Sequence, residues 1–275
     1  MRYQTWLITG TSSGFGLCLA KELLSRGYQV VATARRPDVI SELTELYGNQ
    51  VCVAKLDVCS KADIDAAVLA GVERFGSIDA VVNNAGFGVF GGIEEVTIDE
   101  ARRQFETNFF GALNVIHAVV EGMRVRRHGF IMNISSIAGF SSFPGSGVYG
   151  ASKFALEAVS ESLSKELKML GVRTIIVEPG AFRTDFLGSN FTAHQTQLDD
   201  YRESVGEVLD YFAQLQADGD PLKAAKAMVD VAEQDDPPMR LLLGDDAWHF
   251  AMEKMESLRT DFERNKEVTL SMKFD

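Results

Sequence analysis

Short apolar runs alternate along the chain with longer segments whose apolar side chains return at helical spacing, and glycine or proline marks most changes between them. Residues 3–9 read as a strand, which runs into the glycine-rich turn 10–16 and then a helical pattern stopped at Gly27. Strands follow at 28–34, 50–56 and 78–82, separated by helices at 38–47 and 62–75. The segment 98–123 predicts one long helix with Phe105, Phe109, Leu113, Ile116 and Val120 on its core face. Residues 130–134 predict the fifth strand, 149–170 a helix and 172–177 a further strand. This alternation, with ligand-type residues gathered beyond the strand C-termini, predicts an α/β fold built on a doubly wound parallel sheet that binds its ligand at that edge.

At 275 residues the chain fits one such domain, and no linker or internal repeat divides it, so residues 1–275 are expected to form a single unit. With 46% apolar residues a substantial core is available, yet no apolar run reaches membrane-spanning length. The opening residues pass straight into a strand, which predicts no signal peptide and a cytoplasmic location. Cys18, Cys52 and Cys59 show no metal-like spacing with the histidines; they predict small buried hydrophobes in a reducing compartment and no metal site. A formal charge of −12 argues against a nucleic-acid partner, whose phosphates require a basic surface. From Leu198 onward 9 Lys and Arg face 19 Asp and Glu, a pattern read as the solvated faces of C-terminal helices. The cationic group Arg124, Arg126, Arg127 and His128 falls just past a helix end, where positive charge complements the dipole.

Candidate chemistry follows the same edge. Gly10, Gly14 and Gly16 let the backbone turn tightly between strand and helix and approach a pyrophosphate, which the free N–H groups of the helix start would hold. At the end of the second strand, where a carboxylate would read the ribose hydroxyls of NAD, stand Ala34, Arg35 and Arg36. Guanidinium forks suit a 2′-phosphate, so NADP(H) is the preferred cofactor and NAD the alternative. Asp57 at the third strand end either accepts from an adenine amino group or caps the following helix. Asn83 either pins neighbouring strands or lines the crevice. Asn108, inside a helix and near Gly111, marks a kink or a polar task.

The stretch 135–153 supplies reactive groups. Tyr149 and Lys153 lie four apart at the start of a helical pattern, so phenol and ammonium share one face. A tyrosine ordinarily titrates near ~10, and an adjacent cation favours its phenolate, bringing proton exchange toward neutrality.

Taken together, T-G-x-x-x-G-x-G over 9–16, Asp57, N-N-A-G over 83–86, Asn108, Ser136, Y-x-x-x-K over 149–153 and P-G at 179–180 followed by Thr184 resemble the short-chain dehydrogenase/reductase family. The resemblance covers about residues 3–185 and selects Ser136 over Ser135, because Ser136 stands the family interval before Tyr149. It implies a Rossmann fold with a seven-stranded parallel sheet, helices on both faces and a last strand at 240–244. It implies hydride transfer between a nicotinamide and a carbonyl or secondary alcohol, with Tyr149 as acid/base, Lys153 lowering its pKa and holding the nicotinamide ribose, Ser136 binding the carbonyl and Asn108 positioning a relay water. By the same resemblance Gly10, Thr11, Ser13, Gly14, Phe15 and Gly16 line the cofactor, with Arg35, Asp57, Asn83, Ala85 and Gly86 further along it. Pro179, Gly180 and Thr184 complete that set.

Beyond residue 182 the fingerprint ends, and in this family residues 182–219 would form a substrate loop or lid. A helix at 199–217 with Tyr201, Val205, Val208, Leu209 and Phe212 on one face, together with Phe87, Phe90, Phe140, Phe143 and Phe186, predicts an apolar pocket for a small carbonyl or alcohol substrate. Residues 245–275 read as a C-terminal helical extension, beginning with a helix at 245–265, which leaves the homo-oligomeric state open.

Overall fold

The computed structural model describes residues 2–184, 186, 191–194, 198–215 and 217–274. The first half runs β1 (Thr5–Ile8), α1 (Gly14–Ser25), β2 (Gln29–Ala34), α2 (Glu42–Tyr47), β3 (Val51–Lys55), α3 (Lys61–Phe75), β4 (Ala80–Asn83) and β5 (Gly88–Phe90). It continues through α4 (Ile98–Phe105), α5 (Gly111–Arg126), β6 (Gly129–Ile134), α6 (Gly147–Leu167) and β7 (Val172–Pro179). The rest comprises β8 (Phe191–Ala193), α7 (Glu207–Gln214), α8 (Pro221–Ala232), β9 (Arg240–Leu243), α9 (Asp245–Arg264) and α10 (Lys266–Leu270).

Seven strands form one parallel sheet in the order β3-β2-β1-β4-β6-β7-β9, so the seven-stranded sheet and its last strand at 240–243 stand as expected. The order reverses between β1 and β4, where a doubly wound sheet opens its ligand crevice. Strand periodicity divides the core. Trp6, Ile8, Phe130 and Met132 face one side with Leu19 and Leu23 of α1 and Met228 of α8; Leu7, Val81 and Ile131 face the other with Val115, Ile116 and Met123 of α5. Because both faces are covered, β1 and β6 are buried throughout and read as predominantly apolar runs, with Asn133 the polar exception inside β6.

Local chemistry sets the helix ends. Gly27, at φ 88°, takes the left-handed turn that ends α1, and Tyr28 N–H returns to the Leu23 carbonyl at 3.1 Å. Thr97 and Glu100 form a reciprocal capping box at the start of α4. The helix expected over 98–123 is one rod broken by a π-turn at Glu106–Phe110, in which Gly111 N–H donates to the Glu106 carbonyl five residues back. A side chain at Gly111 would stand 2.6 Å from Val58, so the rod packs against the loop after β3 only because this residue is glycine.

Sequence patterning did not find β5 and β8, which pair in parallel as a separate two-stranded ribbon. Each is too short to show alternation. β5 is fixed instead by side chains, with Val89 N–H donating to Gln104 Oε1 at 2.7 Å. Parts of the loop expected as a lid, residues 185, 187–190, 195–197 and 216, lie outside the described residues. Among the described residues no helix is long and apolar enough to cross a membrane.

Candidate active site

A cavity of about 1200 Å³ opens along the C-terminal ends of the strands, above the usual range for a single ligand pocket and roomy enough for a dinucleotide and a second molecule. Its floor at one end is the turn after β1. Gly10 and Gly14 hold φ of 71° and 56°, and a Cβ on Gly16 would overlap the Gly10 carbonyl oxygen. Ser13 precedes α1 without capping it by its side chain, which leaves the first-turn N–H groups directed at the cavity. A bare helix start beside a glycine cradle fits a pyrophosphate.

The anticipated residues separate into two sets. Gly10, Ser13, Gly14 and Phe15 line the cavity, as do Arg35, Asp57, Ala85 and Gly86, and on the far wall Pro179, Gly180 and Thr184. Thr11, Gly16 and Asn83 do not. Thr11 is fully buried, its hydroxyl donating to the Thr33 carbonyl at 3.1 Å, so it fastens the turn to β2. Gly16 lies beneath the turn against Gly10. Asn83 donates to Asn133 Oδ1 at 2.8 Å, and Asn133 donates to Ser160 Oγ at 2.7 Å, a buried chain tying β4 through β6 to α6. The pinning role is the one Asn83 takes. Its neighbour Asn84 reaches the cavity and donates to the Thr9 and Gly10 carbonyls at 2.8 and 2.9 Å, holding the glycine turn from across the crevice.

Arg35 is exposed at the cavity wall, and its guanidinium has no ion-pair partner among the described residues, whereas Arg36 stands outside the cavity. Asp57 does not cap α3. Ser60 does, accepting from Asp63 N–H at 3.3 Å, and Asp57 accepts from Cys59 N–H at 3.0 Å instead.

At the middle of the cavity Ser135 and Ser136 follow the end of β6, and α6 crosses behind them with Tyr149 and Lys153 one turn apart. The Ser136 hydroxyl is close enough to the Tyr149 phenol to favour its ionised form. Ser135 turns the other way and donates to Glu157 Oε1 at 2.6 Å, which separates the two serines as the family interval does. Lys153 Nζ donates to the Ile134 carbonyl at 2.8 Å and stands 5.9 Å from the centroid of the Tyr149 ring.

The spacing of the two residues implies that Lys153 draws Tyr149 toward ionisation, but burial dominates. Desolvation pushes Tyr149 up to about 12 against the lowering effect of Ser136, and pushes Lys153 down to about 8 against the raising effect of Glu157. The phenol is therefore held as a proton donor.

Asn108 lies in the π-turn, buried behind Gly86. Its Oδ1 accepts from Phe87 N–H at 3.1 Å, and its Nδ2 donates to the Phe87 carbonyl at 2.9 Å and to Ser152 Oγ at 3.2 Å. It thus anchors the segment entering β5 to α6. The kink and the polar task both fall on this residue, and both follow from its place in the π-turn.

The other end of the cavity is aromatic. Phe90 and Phe186 flank the Tyr149 ring at centroid distances of 5.1 and 5.6 Å. Val205 and Leu209 pack with Phe90 and Tyr149, while Val208 and Phe212 reach the cavity itself. Phe140 is the exception: it faces away and lies over Arg240 at 5.5 Å. The start of α9, with Asp245, Asp246, His249 and Phe250, also lines the cavity. Sequence reasoning read α9 only as an extension; Ala247 and Ala251, spaced one turn apart, were the sign that this helix packs closely on the site.

Comparison with known proteins agrees with this architecture. The family model for short chain dehydrogenase matches residues 4–195. The 3-ketodihydrosphingosine reductase of Bacteroides thetaiotaomicron is 36% identical over 246 residues, 89% of each chain. A solved short-chain dehydrogenase from Streptomyces avermitilis superposes with a TM-score of 0.92 at 37% identity, over 99% of this chain and 100% of that one. Serine dehydrogenase in complex with NADP+ superposes with a TM-score of 0.76 at 27% identity, over 87% of this chain and 94% of that one. The chain belongs to the short-chain dehydrogenase family and is an oxidoreductase.

Proposed function

We propose that this oxidoreductase reduces the carbonyl of an apolar substrate, or oxidises the corresponding alcohol, with NADP(H) as its preferred cofactor. The observation that carries the reading is the convergence of Ser136, Tyr149 and Lys153 in the cavity that also contains the bare start of α1 and Arg35. When bound, the nicotinamide supplies or accepts the hydride. The chain does the rest. Ser136 donates to the carbonyl oxygen and fixes its direction. Tyr149, kept protonated by burial, gives its proton to that oxygen as negative charge develops. Lys153, as a cation, stabilises the phenolate left behind and holds a ribose hydroxyl, and Asn108 keeps β5 and α6 in register around it.

Arg35 supports the preference for NADP(H), because a guanidinium just past β2 with no ion-pair partner among the described residues suits a 2′-phosphate where a carboxylate would repel it. The NADP+ complex of serine dehydrogenase supports the same choice. The aromatic wall of Phe90, Phe186 and Phe212 supports an apolar substrate, and 3-ketodihydrosphingosine, named for one relative, has that character. The lid expected over 182–219 would cover it, its described part bringing Val208 and Phe212 of α7 to the cavity, and 1–275 would work as one unit. The test is a screen of NADPH oxidation over long-chain and aromatic ketones and aldehydes, with NADH in parallel. Turnover of apolar carbonyls with NADPH ahead of NADH is expected. Turnover confined to charged, water-soluble carbonyls would refute the substrate class.

A further inference from the structure

Beneath Lys153 lies a group of charged side chains for which the proposed chemistry has no use. Glu157 follows Lys153 by one turn of α6 and is buried. One carboxylate oxygen accepts from Ser135 Oγ at 2.6 Å, and the other pairs with Arg240 of the edge strand β9 at 2.7 Å. Arg240 also pairs with the buried Glu178 of β7 and with Glu161 of α6, under the ring of Phe140. The loop after β6 makes room for this convergence: a Cβ on Gly139 would overlap Glu157 Oε1 and stand 2.5 Å from Ser135 Oγ and 3.0 Å from Lys153 Cβ.

Lys153 needs such a neighbour. It is buried, and among the described residues it donates to a neutral carbonyl. A buried ammonium with no counter-charge gives up its proton. The groups around the pair are few. α6 itself brings Tyr149 and Glu161, β7 brings Glu178, β9 brings Arg240, the end of β6 brings the neutral Ile134 carbonyl and Ser135, and the π-turn brings the neutral Asn108 behind Gly86. α9 adds apolar Ala247, Ala251 and Met252 to the outer side. Burial and the neighbouring Glu157 push Glu178 up, so Glu178 is the acid that gives way when the two carboxylates compete for one guanidinium.

We propose that Glu157 is a positioning residue for the reaction: held by Ser135 and Arg240, it is the counter-charge that keeps the buried Lys153 a cation. Arg240 then sets how strongly that charge is felt. Removing Glu157 lowers the pH at which Lys153 loses its proton; removing Arg240 leaves Glu157 unneutralised and raises it. This rests on the reading of Lys153 given above, but its direct consequence can be measured without turnover.

The experiment is a pH titration of the lysine ε-carbon resonances of protein labelled with 13C at that position, with K153M identifying the Lys153 signal. In E157Q, which keeps the shape of the side chain, the Lys153 midpoint is expected to fall by about one pH unit. The alkaline limb of kcat/KM for NADPH should fall with it. A Lys153 midpoint that stays in place, or a limb that stays while the midpoint moves, overturns the proposal. If E157Q does not fold, R240M decides in its place: a rise in the Lys153 midpoint supports the proposal, and no change or a fall contradicts it. Failure of the underlying chemistry would look different, since K153M would then retain turnover.

Discussion

Lys153 Nζ donates to the carbonyl oxygen of Ile134 at 2.8 Å, so the helix that carries the phenol is fastened to the last residue of the strand that leads into Ser136. The bond fixes the reacting groups relative to the sheet, and it also places the ammonium in a buried setting that works against its charge.

The pH dependence follows from that setting. The proposed reduction requires Tyr149 protonated and Lys153 charged. With Tyr149 pushed up to about 12, the phenol stays an acid throughout the accessible range; Lys153, pushed down to about 8, loses its proton as pH rises through that value. kcat/KM for NADPH in carbonyl reduction is therefore expected to be flat below about pH 7 and to fall across an alkaline limb centred near the Lys153 value. A profile that rises from pH 7 to pH 9 would contradict the charge assignment.

Arg35 is expected to select between the two nicotinamide cofactors. Its guanidinium is free among the described residues, so Arg35→Ala removes a phosphate partner without breaking an internal contact. NADPH affinity, followed by its fluorescence, should weaken about tenfold or more while NADH affinity changes less than about twofold. Equal losses for the two would refute the phosphate role.

Gly16 is expected to be intolerant of any side chain although it lies outside the cavity. A methyl group there overlaps the Gly10 carbonyl and stands 2.5 Å from the Asn84 amide that holds the turn. Gly16→Ala should weaken NADPH binding about tenfold or more by displacing the turn. Binding at the wild-type level would show that the turn yields cheaply.

The buried chain from Asn83 through Asn133 to Ser160 should contribute stability rather than catalysis. Asn133→Ala leaves the Asn83 amide without its acceptor and is expected to cost about 1–3 kcal/mol in urea denaturation. The folded variant should keep its cofactor affinity.

The sheet was legible in the sequence because both of its faces are covered. β1, β4 and β6 are buried throughout and stand out as apolar runs, and glycines at Gly10, Gly14 and Gly27 take the left-handed backbone that makes them good markers of turns. The reactive residues were legible for a similar reason: Tyr149 and Lys153 sit one turn apart on a single helix, so local spacing alone brings them together. What the sequence did not reveal depends on distant contacts. Asn83 and Asn84 look alike in sequence, and only the position of Asn133 on the adjacent strand decides which of them is structural. Phe140 and Phe143 are equally plausible walls until β9 brings Arg240 beneath the first. Ser135, set aside as the catalytic choice, turns out to be the group that fixes Glu157, an acid whose buried position no local spacing marks.

The proposed proton transfer from the Tyr149 hydroxyl is tested most directly by Tyr149→Phe, since the ring stays between Phe90 and Phe186 and only the hydroxyl is lost. The measurement pairs NADPH affinity with the rate of NADPH oxidation on the best substrate from the carbonyl screen. The expected result is affinity within about twofold of wild type and turnover reduced by about 10²-fold or more. Turnover retained at the wild-type level in a variant that still binds NADPH would contradict the account.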